Sequence, residues 1–165
     1  MNETPTTAIV AISRRGAEMA NRLATVMEQE VDLYVERRLG DASIPEAIVF
    51  DLPVRPLIAS LFTSHRNLVL FMPVGAAVRL LAPYLESKAT DPAVVCVDEA
   101  GHFAVSLLSG HTGGADELAK SVASALEGTP VITSASHALN TVAVDLLGKR
   151  YGWRIEAEPE VITRV

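Results

Sequence analysis

Leu68-Val69-Leu70-Phe71-Met72-Pro73-Val74-Gly75 is the stretch that decides the fold. Five consecutive apolar residues stopped by a proline and a glycine are too few for a buried helix. They suit a strand covered on both faces. Strands of that kind belong to parallel sheets, in which each strand returns through a crossover, usually a helix. The next residues agree: Pro73-Val74-Gly75 turns the chain into a helical pattern over residues 76–84.

Upstream, Ala8-Ile9-Val10-Ala11-Ile12 reads as a second buried strand. Ser13 opens a helical segment to about residue 29, with Ala20, Leu23, Ala24 and Met27 on one face. Val31-Asp32-Leu33-Tyr34-Val35 alternates as a strand, and residues 36–43 form a polar loop. Residues 46–50 suit a weak edge strand, limited by Pro45 and Pro53. Residues 56–63 read as a helix with proline at its start.

Downstream, residues 93–97 and 103–107 read as strands joined by a turn at Glu99-Ala100-Gly101. Residues 113–126 give the clearest helix: Ala115, Leu118, Ala119, Val122 and Leu126 line one face, and Lys120, Ser121, Ser124 and Glu127 the other. Gly128 suits its C-cap. Val131-Ile132-Thr133 reads as a last short strand and residues 140–151 as a last helix. The alternation predicts a doubly wound α/β fold, a mostly parallel sheet with helices on both faces. Its 165 residues suit a single domain over 1–165, the last ~10 of them opening a linker. Ligands of such sheets bind beyond the carboxyl ends of the strands. Three junctions are expected to share that edge: residues 13–16, 73–75 and 109–114.

Composition narrows the partners. Apolar residues make up 49% of the chain and aromatics 5%, so the core is built from Ala, Val, Leu and Ile. Twenty acidic residues against fourteen Lys and Arg give a net charge of −6. That balance argues against nucleic acid, whose binding draws on a basic surface. It leaves room for an anionic small molecule held by a few local cations and helix ends. Cys96 is the only cysteine, so no intrachain disulfide is possible and a reducing cytoplasm is the simpler setting. Its apolar neighbours suit a buried core residue. Residues 1–7 lack the basic and apolar regions of a signal peptide, and no apolar stretch reaches the roughly 18 residues of a membrane span.

The candidate chemistry gathers in Ser109-Gly110-His111-Thr112-Gly113-Gly114-Ala115-Asp116-Glu117. The glycines let a ligand approach the main chain where a helix begins, and free N–H groups there suit an anion. The spacing is neither GxGxxG nor GxxxxGK[ST]. His111 could relay a proton, anchor a carboxylate, or simply order the turn. Gly113 and Gly114 could aim N–H groups at an oxyanion, or permit tight helix–strand packing. Asp116 and Glu117 complement the helix dipole but would repel an anion unless turned away. Arg79, one turn after Gly75, could take a carboxylate in bidentate fashion or be solvated. Asp98, Glu99 and His102 suit a solvated hairpin turn and are too generic for a metal site. His65 and His137 are given no role. Ser109 does not sit in a GxSxG elbow.

Several of these segments, in this order, resemble one family. Residues 73–83, residues 88–95, Val97-Asp98-Glu99-Ala100-Gly101, the turn from Gly110 to Ala115, and Val131-Ile132-Thr133 are similar to the N-terminal region of cobalt-precorrin-5A hydrolases. Ser13-Arg14-Arg15-Gly16 fits more loosely. Asp116 stands where the family usually has Asn. The resemblance implies a place in the anaerobic route to cobalamin. The family's reaction opens a δ-lactone on ring A of a carboxylate-rich macrocycle and expels acetaldehyde. Cobalt arrives within the substrate, so no cofactor and no protein-held metal are expected. The resemblance also implies a C-terminal domain or partner chain. On this reading the substrate is an anionic cobalt-corrinoid. Gly75, Arg79, Gly110, Gly113, Gly114 and Asp116 are the expected binding residues, and His111 the general base or carboxylate anchor. The rival readings are a non-catalytic tetrapyrrole-binding or interaction module and a generic nucleotide-binding domain. The latter lacks both glycine motifs and an evident ribose-binding acid after the second strand.

Overall fold

The computed structural model describes residues 6–27, 29–39, 44, 46–111 and 113–133. The chain divides into two compact units, Met1–Ile132 and Thr133–Val165, and the fold below is that of the first. The helix expected over 140–151 and His137 lie outside the described residues.

Chain order is β1 (Thr7–Ala11), α1 (Arg14–Val26), β2 (Val31–Glu36), β3 (Ile48–Phe50), α2 (Arg55–Ser64), β4 (Asn67–Phe71), α3 (Val74–Leu81), a 3-10 turn at Ala82–Tyr84, β5 (Ala93–Val97), β6 (Phe103–Leu108), α4 (Ala115–Leu126) and β7 (Thr129–Val131). The strands form one sheet in the order β3-β2-β1-β4-β5-β6-β7. The first five are parallel, β6 is antiparallel to β5, and β7 is parallel to β6. The fold is the expected mostly parallel α/β sheet. Among the described residues no helix is long and apolar enough to cross a membrane.

The central strands are apolar at every position because both faces are covered. Alternate residues of each strand go to opposite faces. Ile9, Val69, Phe71, Val95 and Val97 pack with α1 and α4. Val10, Leu68, Leu70, Val94 and Cys96 pack with α2 and α3. Helix α1 is held at its start by Ser13, whose Oγ accepts from the Gly16 N–H at 3.1 Å. The inward face of α4 is the one its spacing predicts, with Ala115, Leu118, Ala119, Val122 and Leu126 all buried. Leu118→Ala removes a buried side chain and leaves a hole, so it is expected to cost roughly 2–5 kcal/mol in chemical denaturation. A loss below about half a kilocalorie would mean that the leucine leaves no real cavity.

Several boundaries differ from the sequence reading by a few residues, and two of them flank α4. Helix α4 begins at Ala115 rather than 113, since Gly114 takes a left-handed φ of 94°. The last strand is Thr129–Val131 rather than 131–133. Gly128 follows the C-cap instead of forming it; Glu127 is the left-handed cap residue at φ 60°.

The larger correction is one of direction. Because β6 runs against β5, with Leu108 opposite Val94 and Ala104 opposite Val97, its end lies beside the start of β5. The turn at 109–114 therefore sits on the amino edge of the parallel strands. Residues 13–16 and 73–75 sit on the carboxyl edge, flanking the switch between β1 and β4. The three junctions do not share an edge.

Candidate functional site

At the amino edge, β6 is followed by Ser109, a non-glycine residue held at φ 55°. Ser109 Oγ donates to the Asp91 carbonyl at 3.0 Å, and its own carbonyl accepts from the Ala115 N–H at 3.2 Å. The turn is thereby tied both to the segment before β5 and to α4. Its glycines serve different ends. A Cβ on Gly110 would stand 2.6 Å from Asp116 Oδ1, and one on Gly113 would stand 2.7 Å from the Ser109 carbonyl oxygen. Packing forbids both. A Cβ on Gly114 would meet nothing within 4 Å. There the backbone conformation asks for glycine, and the space beside it is open.

Asp116 is turned into the fold. It is buried, accepts from Ser106 Oγ at 2.6 Å, and its N–H bonds the Gly110 carbonyl. It braces the turn against β6. Glu117 is exposed and takes Lys120 Nζ at 2.7 Å. One first-turn carboxylate is thus turned inward and the other paired, which lessens their repulsion of an anion at the start of α4. His111 lies on the same turn, half-buried.

Gly75 and Arg79 lie on the opposite edge. Arg79 is exposed and donates to the Gly75 carbonyl within its own helix at 2.8 Å. A five-residue strand is ~16 Å long. Gly75 and Arg79 therefore stand apart from the cradle in which they were grouped with Gly110, His111, Gly113, Gly114 and Asp116. Asp98 closes the β5–β6 hairpin by accepting from the Ala100 and Phe103 N–H groups, as a turn aspartate does. Cys96 is buried, its thiol directed at the Met72 carbonyl, and burial pushes its pKa up to about 11. It is a core thiol, not a nucleophile. Glu36 does end β2, contrary to the shorter strand expected. Its carboxylate is buried and bonded to Arg38 through both Nε and N–H. Among the described residues no group of three His, Cys, Asp or Glu side chains is placed to hold a metal ion.

A cavity of about 450 Å3 opens on this amino edge, lined in part by Ser64, His65, Arg66, Asp91 and Gly113. Sequence reasoning gave His65 no role, yet it is buried at the end of α2 and bonded on both sides. Its Nδ1 lies 2.8 Å from Ser64 Oγ and its Nε2 lies 3.1 Å from Asp32 Oδ2. Asp32 belongs to β2, and no local motif links it to His65. A polar residue inside an otherwise apolar strand was the one available signal.

Comparison with known proteins places these features in a family context. Residues 56–137 match the family described as Cobalamin synthesis G N-terminal. The chain is 44% identical over 155 residues to a cobalt-precorrin-5A hydrolase of Priestia megaterium, covering 93% of this chain and 41% of that protein. It is 35% identical over 140 residues to a cobalt-precorrin-5A hydrolase of Salmonella typhimurium, covering 85% and 38%. The chain thus spans about two fifths of the length of these relatives. A solved structure of a cobalamin biosynthesis protein G homolog from Sulfolobus solfataricus superposes with a TM-score of 0.60 at 23% identity. It covers 98% of this chain and 45% of that one, and the likeness is one of fold.

Proposed function

This chain belongs to the cobalt-precorrin-5A hydrolase family, whose N-terminal region it matches, and from that premise we propose that it binds and orients an anionic cobalt-corrinoid for hydrolysis of the ring A δ-lactone. Carbon–carbon cleavage then gives cobalt-precorrin-5B and acetaldehyde. The reading is supported above all by the 44% identity over nearly the whole chain to a protein of that name. Cobalt enters with the substrate, and no further cofactor is needed.

The amino edge is the proposed site. Lactone opening puts negative charge on a carbonyl oxygen; with the Ala115 and Asp116 N–H groups spent on the turn's own carbonyls, the Gly113 and Gly114 N–H groups are the donors proposed for it. Gly114 leaves its side of the turn open for such an approach. His111 anchors a substrate carboxylate there, and exposed Arg66 adds a positive charge at the cavity. Gly75 and Arg79 have no part in this cradle.

The expected result is that the chain binds a cobalt-corrinoid with free carboxylates more tightly than a mononucleotide, by absorbance titration. Gly114→Val should abolish that binding while the circular dichroism spectrum is kept, because a branched side chain fills the open space. Equal affinity in wild type and variant would move the site off this turn.

A further inference from the structure

We propose that Ser64, His65 and Asp32 form a hydrolytic relay for ester and lactone carbonyls, opening into the amino-edge cavity. The inference rests on the lactone-opening reading above and supplies the nucleophile and base that reading lacks.

The geometry sets the proton positions. The Asp32 carboxylate can only accept. It lies 3.1 Å from His65 Nε2. Nε2 therefore carries the imidazole proton, and Nδ1 presents its lone pair to Ser64 Oγ at 2.8 Å. Ser64 Oγ also reaches the Ser60 carbonyl at 3.0 Å, so its single proton has two acceptors and can turn to the imidazole. The ring nitrogens are exchanged relative to the usual serine hydrolase, but the roles need only one accepting and one donating nitrogen. The His65 side chain is 3% exposed, whereas Ser64 is exposed and lines the cavity. That is the division a relay needs: a sheltered base and an accessible hydroxyl. If the histidine merely pinned the end of α2 to β2, its Asp32 bond would suffice; the second nitrogen facing an accessible hydroxyl goes beyond that.

The chemistry balances. Ser64 Oγ gives its proton to His65 Nδ1 and bonds the lactone carbonyl carbon, whose oxygen takes the electron pair. The carbonyl re-forms as the bond to the ring oxygen breaks, and that oxygen receives the proton from Nδ1. An acyl-serine and a free hydroxyl result. Water then gives a proton to Nδ1 and attacks the acyl carbon. Ser64 Oγ leaves and recovers the proton, so one lactone and one water yield one hydroxy acid. Asp32 is a positioning residue: it fixes the tautomer and stabilises the imidazolium.

The test uses the whole chain and a fluorophosphonate, which a serine attacks with loss of fluoride. Peptide mass analysis should find one phosphonyl group on Ser64. Labelling should vanish in Ser64→Ala and slow by about tenfold or more in Asp32→Asn, with part of the rate restored in Asp32→Glu. Thermal unfolding of each variant should match wild type. Hydrolysis of p-nitrophenyl acetate should fall in parallel. No adduct on Ser64 in the folded chain, or the same labelling rate in Asp32→Asn, would overturn the relay. Neither probe involves a corrinoid. Labelling without any corrinoid binding would defeat the lactone reading alone, and corrinoid turnover by Ser64→Ala at the wild-type rate would defeat the relay alone.

Discussion

Gly128→Ala is expected to destabilise the fold by roughly 3 kcal/mol or more, among the larger losses for any single methyl added to this chain. The added Cβ would collide with the Gly101 carbonyl oxygen and stand 2.9 Å from that of His102. Both neighbours are backbone and cannot swing aside. The same residue donates to the Ala123 carbonyl at 2.8 Å, and Thr129 N–H donates to the His102 carbonyl at 2.7 Å, so α4 and β7 are stitched to the hairpin where it sits. Relief would mean moving the hairpin that reverses the sheet. Gly114→Ala is the contrasting case, since its methyl meets open space and only the φ of 94° is strained, worth about 1–2 kcal/mol. Urea denaturation of the two variants measures the difference. A similar, small loss at both positions would show that the hairpin yields and that contact does not fix glycine at 128.

The fold was legible wherever burial on both faces left a continuous apolar run. Leu68 to Phe71 and Ala93 to Val97 are such runs, and each is a central strand buried almost throughout. The reversal at β6 carried a signal that periodicity does not weigh. Only residues 98–102 separate β5 from β6, and a parallel crossover needs a dozen or more. Loop length thus already placed the glycine turn on the far edge from Gly75 and Arg79. Inside the turn, glycine content pointed to the right place but not to the reasons. Gly110 and Gly113 answer to Asp116 and Ser109, contacts created only once the turn has closed. Asp32 and His65 lie 33 residues apart and meet because α2 returns the chain beside β2. Such a pair belongs to tertiary structure, and no local pattern announces it.

Acetaldehyde release by the isolated 165 residues is expected to be at least ~10²-fold slower than by the same chain joined to the remaining length of its relatives. The chain spans 41% and 38% of those proteins. Lactone opening needs a nucleophile, a base, an oxyanion site and exclusion of bulk water. The amino edge offers candidates for the first three. Its cavity is open at about 450 Å3, and on the proposed reading it would take one margin of the macrocycle and leave the rest in water. Pockets that enclose such ligands commonly form between domains. The remaining length is therefore expected to cover the substrate while this edge holds it. In the joined protein, His111→Ala separates anchoring from base catalysis. Loss of a carboxylate anchor raises KM with little change in kcat, whereas loss of the base lowers kcat by ~10²-fold or more. The first outcome is expected here, because His65 already presents an accepting nitrogen to Ser64. A fall in kcat at unchanged KM would transfer the base to His111. Full activity from the isolated chain would end the two-part reading, since one open edge would then be enough.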